Sequence, residues 1–303
     1  MKVLDYFFAS RPLLQLPIWT VYLVSLHSHL RLSGGSPAWS DLVIMAGLSV
    51  IFAGAAYLNQ VYDCESDALN RKVGFLQRGF LTRQGLLAAS IPALLVPMVV
   101  APLVGWATLF IFALLVVLAY VYSAPPLRLK DHPLGGLLAN MTAHGFLVAV
   151  AVMPELSMNN SGLLDWNGAF YFFLTVGGTY LLTTLPDRAG DEAVGKRTLS
   201  VVLGRTGTLV TTVFLFALAA WSAYRSGAIV LCGLALGAAL LTVAALVIRS
   251  EKTVLLAAKL PLLALTILAC WYFPSYFLFV VALLIATRIY YRRRFGLTYP
   301  VLA

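Results

Sequence analysis

Two short stretches concentrate acidic residues in a chain that has few of them. The chain contains 12 Asp and Glu residues, and six of them fall within NQVYDCESD and LPDRAGDE. In each stretch two aspartates are four residues apart, Asp63 with Asp67 and Asp187 with Asp191. A helical conformation would place each pair on one face. Two such pairs that converge would repel each other unless a cation lay between them.

The residue types around these acids indicate a hard cation and a phosphate-bearing ligand. Carboxylate oxygens without nearby His or Cys favour Mg²⁺, which usually keeps places for water and substrate phosphate. A polar loop with four basic residues follows each acidic stretch, and Arg and Lys side chains bind phosphate oxygens. These residues are Arg71, Lys72, Arg78 and Arg83 in one loop, and Arg188, Lys196, Arg197 and Arg205 in the other. The sequence therefore predicts a diphosphate site in which the four aspartates bind the metal.

The rest of the chain is apolar enough to be embedded in a membrane. Hydrophobic residues make up 61% of it and charged residues 11%, and the mean hydropathy is +0.89, outside the range of soluble globular domains. Apolar runs of about 18 or more residues predict spanning helices. Ten candidate runs lie at 13–30, 40–62, 84–104, 106–123, 134–153, 166–186, 206–224, 226–248, 253–272 and 274–291. We therefore predict an all-α, polytopic transmembrane helical bundle that forms one membrane domain over residues 1–303.

The distribution of basic residues predicts the orientation of this bundle. With a cytoplasmic N-terminus and ten alternating spans, only Arg31 and Arg225 of the 21 Lys and Arg residues fall outside the cytoplasmic side, as the positive-inside rule favours. Both acidic stretches then face the cytoplasm. The net charge of +9 is explained by this topology and by attraction to anionic membrane lipids. A nucleic-acid partner is not expected, because no soluble basic domain is present.

The acidic stretches carry a resemblance to a known family. NQVYDCESD resembles the N-x-x-x-D-x-x-x-D motif of UbiA-type intramembrane prenyltransferases, and DRAGDEAVGKRTL is similar to their second motif, D-x-x-G-D-x-x-x-G-K-x-T. YSAPPLRLK resembles a loop that members carry after the fourth span, and Arg11-Pro12 sits where many have an Arg-Pro. The resemblance implies nine spans around a central cavity. It also implies Mg²⁺ and a prenyl diphosphate at the cytoplasmic end, with Asp63, Asp67, Asp187 and Asp191 as metal ligands.

Further residue roles follow from the same resemblance. Asn59 matches the motif asparagine, Lys130 and Lys196 match basic positions that help to hold diphosphate, and Tyr122 matches a tyrosine that lines the site. Arg128 is in the same loop as Lys130. We assign it to substrate binding together with these residues.

Two departures from the family pattern affect the donor site. The first motif usually reads N-D, and here Gln60 takes the second place. In the following loop Gly74 stands where members often have an arginine. We hypothesise that Arg71, Lys72 and Arg78 supply the missing basic contact to the substrate.

Asn140 and His144 are polar residues within the fifth apolar run and lie four residues apart, so they would share a helix face. They could bind or deprotonate an acceptor from inside the cavity. They could equally form a buried hydrogen-bonding pair that joins helices.

These observations predict a Mg²⁺-dependent membrane prenyltransferase. It would transfer an isoprenyl group from a prenyl diphosphate to a lipid, quinone-precursor or other aromatic acceptor and release diphosphate. Two alternatives also use acids in a membrane: a cation or proton transporter, and a lipid phosphotransferase, whose D-x-x-D-G-x-x-A-R pattern is absent here. The sequence leaves the acceptor and the donor length open.

Overall fold

The described residues of the protein form a bundle of helices. The structure is a computed structural model that describes residues 2–69, 74–153 and 166–300. The helices are α1 (Lys2–Ala9), α2 (Pro12–Ser33), α3 (Trp39–Leu69), α4 (Arg83–Val100), α5 (Trp106–Ser123), α6 (Pro133–Val150), α7 (Trp166–Thr184), α8 (Arg188–Ala193), α9 (Leu199–Arg225), α10 (Ile229–Ile248), α11 (Glu251–Tyr272) and α12 (Pro274–Phe295). The described residues contain no strand, and the all-α prediction is confirmed.

Each predicted apolar run overlaps one long helix. Eight helices in the described residues are long and apolar enough to cross a membrane. The other two long helices, α2 and α7, have 22 and 19 residues and contain more polar side chains. Large apolar side chains such as Val99, Leu240 and Trp271 are exposed on the outside of the bundle, where lipid chains would solvate them. The count of nine or ten crossings stays a prediction.

The last two helices, α11 and α12, form an antiparallel hairpin. Along α11, Thr266 contacts Thr20 and Tyr272 stacks on His27, so α11 runs in the same direction as α2. Along α12 the order is reversed, because Tyr276 bonds Thr20 and the later residues approach α1. One residue, Phe273, separates the two helices.

The two ends of the described chain lie side by side. Asp5 of α1 is fully buried and accepts hydrogen bonds from Tyr290 and Arg294 of α12. Arg294 forms a two-point ion pair, with Nε 2.9 Å from Asp5 Oδ1 and Nη2 2.8 Å from Oδ2. Its guanidinium also lies 3.6 Å from the centre of the Phe80 ring.

Backbone features end or bend the helices near the predicted site. Ala124 is extended, with φ −93° and ψ 148°, because the residue before a proline disfavours the helical region, and α5 therefore ends at Ser123. Gly204 has φ +65° and interrupts α9 with a kink, since glycine adopts this conformation without steric cost. The apolar run predicted from residue 206 begins just after that kink.

Candidate functional site

The first acidic motif lies on the last turns of α3. Asn59, Asp63 and Asp67 all fall within the continuous helix Trp39–Leu69, so their predicted helical spacing is confirmed. Asp63 is buried and Asp67 is half-buried. Gln60, the departure from the family pattern, points elsewhere: its Nε2 donates to the Ala9 carbonyl at 2.7 Å. Gln60 therefore fixes the connection between α1 and α2 instead of facing the aspartates.

Lys196 lies between the two acidic motifs, and Lys130 contacts the first of them. Lys130 Nζ lies 2.8 Å from Asp63 Oδ1. Lys196 Nζ lies 3.8 Å from Asp63 Oδ1 and 3.9 Å from Asp191 Oδ1. Carboxylates from α3 and α8 thus converge on one positive charge, although their residues are 128 positions apart in the sequence. The predicted juxtaposition of the two motifs is present for these two aspartates.

The second motif forms a single helical turn. The Asp191 amide donates to the Asp187 carbonyl at 2.9 Å, so the two aspartates share a face as their spacing predicts. Asp187 is exposed and Asp191 is half-buried. The chain then folds back, and the Lys196 amide donates to the Asp191 carbonyl at 2.9 Å. This turn aims the Lys196 side chain at the carboxylates.

The loop between α5 and α6 delivers Lys130 through a tight turn. Residues 129–131 form one turn of 3₁₀ helix after Arg128, whose φ is +40°. The Arg128 Nε donates to Asp131 Oδ2 at 2.7 Å, so Arg128 braces its own loop, and its substrate-binding role stays a prediction. The Arg197 amide donates to the Asp131 carbonyl at 3.2 Å. That bond ties the loop of Lys130 to the loop of Lys196.

Burial makes the charge of Lys130 sensitive to its surroundings. The side chain is 6% exposed, and burial lowers the pKa of its ammonium below the ordinary lysine value, while the Asp63 carboxylate opposes that shift. An ammonium in such a place needs an anion beside it to stay charged. Asp63 is one such anion, and a substrate diphosphate would be another.

The oxygen-rich donor set fits a hard cation. Within residues 2–69, 74–153 and 166–300, no group of three or more His, Cys, Asp or Glu side chains is placed to hold a metal ion. The Lys196 ammonium shows, however, that the Asp63 and Asp191 carboxylates can face one cation. Magnesium prefers such oxygen ligands. A shared metal centre of Asp63, Asp67, Asp187 and Asp191 stays a prediction.

A cavity of about 240 Å³ leads from the acidic motifs into the bundle. Its polar lining includes Arg11, Asn59, Tyr122 and Asn140. Its deeper walls are apolar and include Ile18, Ile51, Phe52, Leu115 and Leu118. A polar mouth with an apolar interior suits a ligand that has a charged head and a hydrocarbon tail. We call this space the reaction cavity.

A tyrosine pair lies at the mouth of the reaction cavity, and one of its members was missed in the sequence. Tyr122 lies beside Asn140, Tyr180 and Asp63. Tyr180 lies beside Asp191 as well. Tyr180 lies on α7, which ends at Thr184 before Asp187 is reached, so helical spacing from the second motif did not identify it.

His144 lies deep in the reaction cavity. Its ring packs on Phe52 with the ring centres 4.6 Å apart, and both His144 and Asn140 line the cavity, as the predicted shared face requires. Phe52 precedes Asp63 by eleven residues on α3, or about 16 Å along the helix axis. A general base must reach the proton that it removes, so this depth favours contact with an apolar part of a substrate over proton transfer beside the aspartates.

The loop with the altered basic position is only partly described. Arg71 and Lys72 lie outside the described residues, and Arg78 is exposed. At Gly74 an added Cβ would lie 2.2 Å from the Gln77 Oε1, while the Gln77 Nε2 donates to the Cys64 carbonyl at 3.2 Å. Gln77 thus occupies the space in which a side chain at position 74 would begin. The hypothesis that the three basic residues contact substrate stays a prediction.

Arg11 is the basic residue that the structure adds to the cavity. It adopts a left-handed conformation, with φ +54°, immediately before α2, and it lines the reaction cavity. The Arg-Pro dipeptide in the sequence pointed to this place, but it did not show that Arg11 lines the same space as Asn59.

Known proteins with similar sequences include two that are named as homogentisate phytyltransferases, one of them as probable. The chain is 25% identical over 225 residues to the homogentisate phytyltransferase of Synechocystis, covering 70% of this chain and 72% of that protein. It is 28% identical over 179 residues to a probable homogentisate phytyltransferase 2 of rice, Oryza sativa subsp. japonica, covering 55% of this chain. That match spans about half of the rice protein, 46% of its length.

Solved structures share the fold. The structure of a UbiA homolog from Archaeoglobus fulgidus bound to GPP and Mg²⁺ superposes with a TM-score of 0.67 at 18% identity, covering 90% of this chain and 98% of that chain. Residues 18–260 match the model of the UbiA prenyltransferase family. This chain is therefore a member of the UbiA prenyltransferase family.

Proposed function

We propose that the protein transfers a prenyl group from a prenyl diphosphate to a lipophilic or aromatic acceptor. The observation that carries this proposal is the pairing of Asp63 with Lys130 and Lys196, one helical turn from Asn59, which lines a largely apolar cavity. Acids for a metal and ammonium groups for a phosphate meet there within one ion-pair network. The names of the two phytyltransferase relatives and the ligands of the Archaeoglobus structure support the same chemistry.

The four motif aspartates would hold Mg²⁺ in this enzyme. Bound magnesium supplies Lewis-acid stabilisation of the negative charge that develops on a leaving diphosphate. The described part of the site fits it, because Asp63 and Asp191 already face a common cation.

The side chains of the site then account for the remaining requirements of the reaction. The allylic C–O bond breaks, and its electron pair leaves with the diphosphate. Lys130 and Lys196 stabilise that charge from fixed positions. The apolar walls exclude water from the allylic cation, until a carbon or oxygen atom of the acceptor forms the new bond and the acceptor loses a proton.

The transporter and phosphotransferase alternatives fit the structure less well. A cation pathway gains nothing from ammonium groups placed 2.8 and 3.8 Å from its central carboxylate, because they would repel the transported ion. A lipid phosphotransferase is disfavoured by the sequence, because its D-x-x-D-G-x-x-A-R pattern is absent. Turnover of labelled geranylgeranyl diphosphate against a panel of quinone precursors, aromatic acids and glycerol-based lipids would identify the acceptor.

The lowered pKa of Lys130 predicts a pH effect on donor binding. The diphosphate needs the charged ammonium, so the KM for the donor should rise as pH increases through the Lys130 pKa, which lies below that of an ordinary lysine. Loss of one charge-assisted contact corresponds to about 1.5–3 kcal/mol, or roughly ten-fold or more in KM. Donor KM measured against pH for wild type and Lys130→Arg tests this, because arginine stays charged. If the rise of the donor KM with pH is unchanged in Lys130→Arg, a group other than Lys130 causes it.

We also propose that the acidic end of the bundle faces the cytoplasm. Ser36, between α2 and α3, and Glu251, at the start of α11, are both exposed and lie on opposite sides in the ten-span topology. In a background without Cys64, Cys232 and Cys270, a cysteine replacing Ser36 should react with an impermeant reagent in intact cells. A cysteine replacing Glu251 should react only after the membrane is opened. The reverse pattern would invert the orientation.

A further inference from the structure

One member of the tyrosine pair lines the reaction cavity and the other stands beside it. Tyr122 of α5 is part of the cavity wall, as is Asn140 of α6. Among the described residues, that wall does not include Tyr180 of α7, yet the Tyr180 side chain approaches the Tyr122 hydroxyl. Tyr180 can therefore influence the cavity through Tyr122.

Gly136 of α6 provides the space for the Tyr180 hydroxyl. Gly136 is buried, and a Cβ added to it would lie 2.5 Å from the Tyr180 Oη. Such a distance is well inside van der Waals contact, so any side chain at position 136 would displace that hydroxyl. The same Cβ would lie 3.4 Å from the Lys130 carbonyl oxygen. A glycine here thus lets the Tyr180 hydroxyl pack against the backbone of α6, next to the loop of Lys130.

Gly136 also fixes the amide of Asn140. The Asn140 Nδ2 donates to the Gly136 carbonyl at 2.8 Å. Because a carbonyl oxygen only accepts, the nitrogen of the amide must face it, and the second N–H of that nitrogen remains for another acceptor. The side chain of Asn140 approaches the Tyr122 hydroxyl. A Tyr122 oxygen that accepts from Asn140 keeps its own proton for a third group.

We propose that Tyr180 is a positioning residue for prenyl transfer, which donates a second hydrogen bond to the Tyr122 oxygen and so turns the Tyr122 proton toward the diphosphate. This proposal rests on the proposed function. An oxygen that accepts from both Asn140 and Tyr180 has its lone pairs occupied, and its O–H must then point elsewhere. Tyr122 also lies near Asp63, beside which the diphosphate would bind.

A hydroxyl oriented in advance has a chemical advantage in this reaction. Negative charge develops on the diphosphate as the allylic C–O bond breaks, and a donor that already points at it stabilises that charge without reorienting. Hydrogen bonds in a site are often long before the substrate binds and shorten in the complex. The approach of Asn140 and Tyr180 to one hydroxyl is therefore the arrangement that a bound diphosphate would tighten.

Two other roles of Tyr180 would give different results. Its hydroxyl lies near Asp191, and an effect through that carboxylate would be independent of Tyr122. A role limited to joining α7 and α6 would change stability alone. The geometry favours the route through Tyr122, because Gly136 adjoins the Tyr180 Oη and also binds Asn140, so both partners of the Tyr122 hydroxyl are fixed at one point.

The test is a double-mutant cycle with Tyr180→Phe, Tyr122→Phe and their combination, in which each change removes a hydroxyl and keeps the ring. For each variant, kcat and donor KM are measured with geranylgeranyl diphosphate and the acceptor that gives the highest turnover, and thermal unfolding is measured alongside. Tyr120→Phe is the matched control, because Tyr120 lies on α5 two residues from Tyr122 and is 51% exposed.

The expected loss is in kcat and depends on Tyr122. Tyr180→Phe should lower kcat about five-fold, the effect of one neutral hydrogen bond, with donor KM within about two-fold of wild type because the bond acts in the transition state. The combination should be no slower than Tyr122→Phe alone, since no hydroxyl is left to orient. Tyr120→Phe should keep the wild-type kcat.

A second variant displaces the Tyr180 hydroxyl without removing a polar group. Gly136→Ala should also lower kcat about five-fold. Added to Tyr180→Phe, it should cost less than about two-fold more, because the atom that it displaces is gone. Gly233→Ala on α10 is the control, since nothing lies within 4 Å of a Cβ added there. An undiminished loss in the Tyr180→Phe background would assign the effect to the Lys130 backbone and contradict the proposal.

The remaining outcomes are distinguishable from one another. Losses in Tyr122→Phe and Tyr180→Phe that multiply in the combination would overturn the route through Tyr122 in favour of Asp191. Earlier thermal unfolding of Tyr180→Phe with unchanged kcat would leave Tyr180 a structural residue. Wild-type protein that does not turn over the donor would contradict the proposed function itself, and this inference with it.

Discussion

Replacing Asp63 with asparagine should lower turnover by roughly a hundred-fold or more. Asp63 is buried, contacts Lys130 at 2.8 Å and shares Lys196 with Asp191. The amide removes the negative charge that these ammonium groups and a bound cation require. Loss of several kcal/mol of charge stabilisation, at 1.36 kcal/mol for each factor of ten, gives this magnitude. Asp191→Asn should show the same direction, since its carboxylate faces the same ammonium.

Two neighbouring glutamates provide matched controls for this prediction. Glu65 on α3 and Glu192 on α8 undergo the same chemical change to glutamine, and both are exposed. Diphosphate release by Glu65→Gln and Glu192→Gln should stay within about two-fold of wild type, because exposed charges in water interact weakly. Full turnover in Asp63→Asn and Asp191→Asn, with folded protein, would remove both aspartates from the reaction.

Replacing Arg294 with alanine should destabilise the protein by roughly 3 kcal/mol. The substitution leaves Asp5, which is 0% exposed, without its two-point ion pair, and an uncompensated buried charge costs about 3–5 kcal/mol. The hydrogen bond from Tyr290 to Asp5 remains in the variant, so we expect a loss of stability at the lower end of that range. Each kcal/mol of lost stability lowers the unfolding temperature by about 2 °C or more in a chain of this size. Thermal unfolding in detergent should therefore occur at a temperature about 6 °C or more below that of wild type.

Two further variants separate the buried pair from a general effect of surface charge. Arg293 is exposed one residue away, and Arg293→Ala should unfold within about 1 °C of wild type, as expected for an exposed charge. The double substitution Asp5→Leu with Arg294→Leu should recover most of the loss, because apolar replacements of both partners leave no buried charge. A double variant no more stable than Arg294→Ala would assign the effect to lost packing against Phe80.

The helices could be predicted from sequence because their signals are local. Apolar run length placed all ten long helices, and the paired prolines after Ala124 marked the end of α5. The kink at Gly204 explains why the apolar run of α9 begins later than the helix itself. The π-helical segment Met141–Leu147 was not predicted, because no residue type there marks it.

Only the parts of the site that depend on motif spacing could be predicted from the sequence. Spacing placed Asp63 and Asp191 on helical faces, and the family resemblance brought in Lys130 and Lys196. The contact between them depends on how the loops after α5 and α7 meet, which the Arg197–Asp131 backbone bond decides. No sequence pattern records that contact.

Contacts between distant parts of the chain were not predictable at all. Asp5 and Arg294 are 289 residues apart, and nothing in their local sequence distinguishes them from solvated charges. The spacing of residues along the chain does not show which helix faces pack against each other.

Mg²⁺-dependent prenyl transfer is tested most directly by a paired measurement on the purified protein with geranylgeranyl diphosphate and a panel of acceptors. Released diphosphate and prenylated product are quantified in the same reaction, with Mg²⁺ and then with excess chelator. We expect equal molar amounts of diphosphate and product with Mg²⁺, and loss of both with chelator and in Asp63→Asn. Release that is unaffected by the chelator and by Asp63→Asn would contradict it.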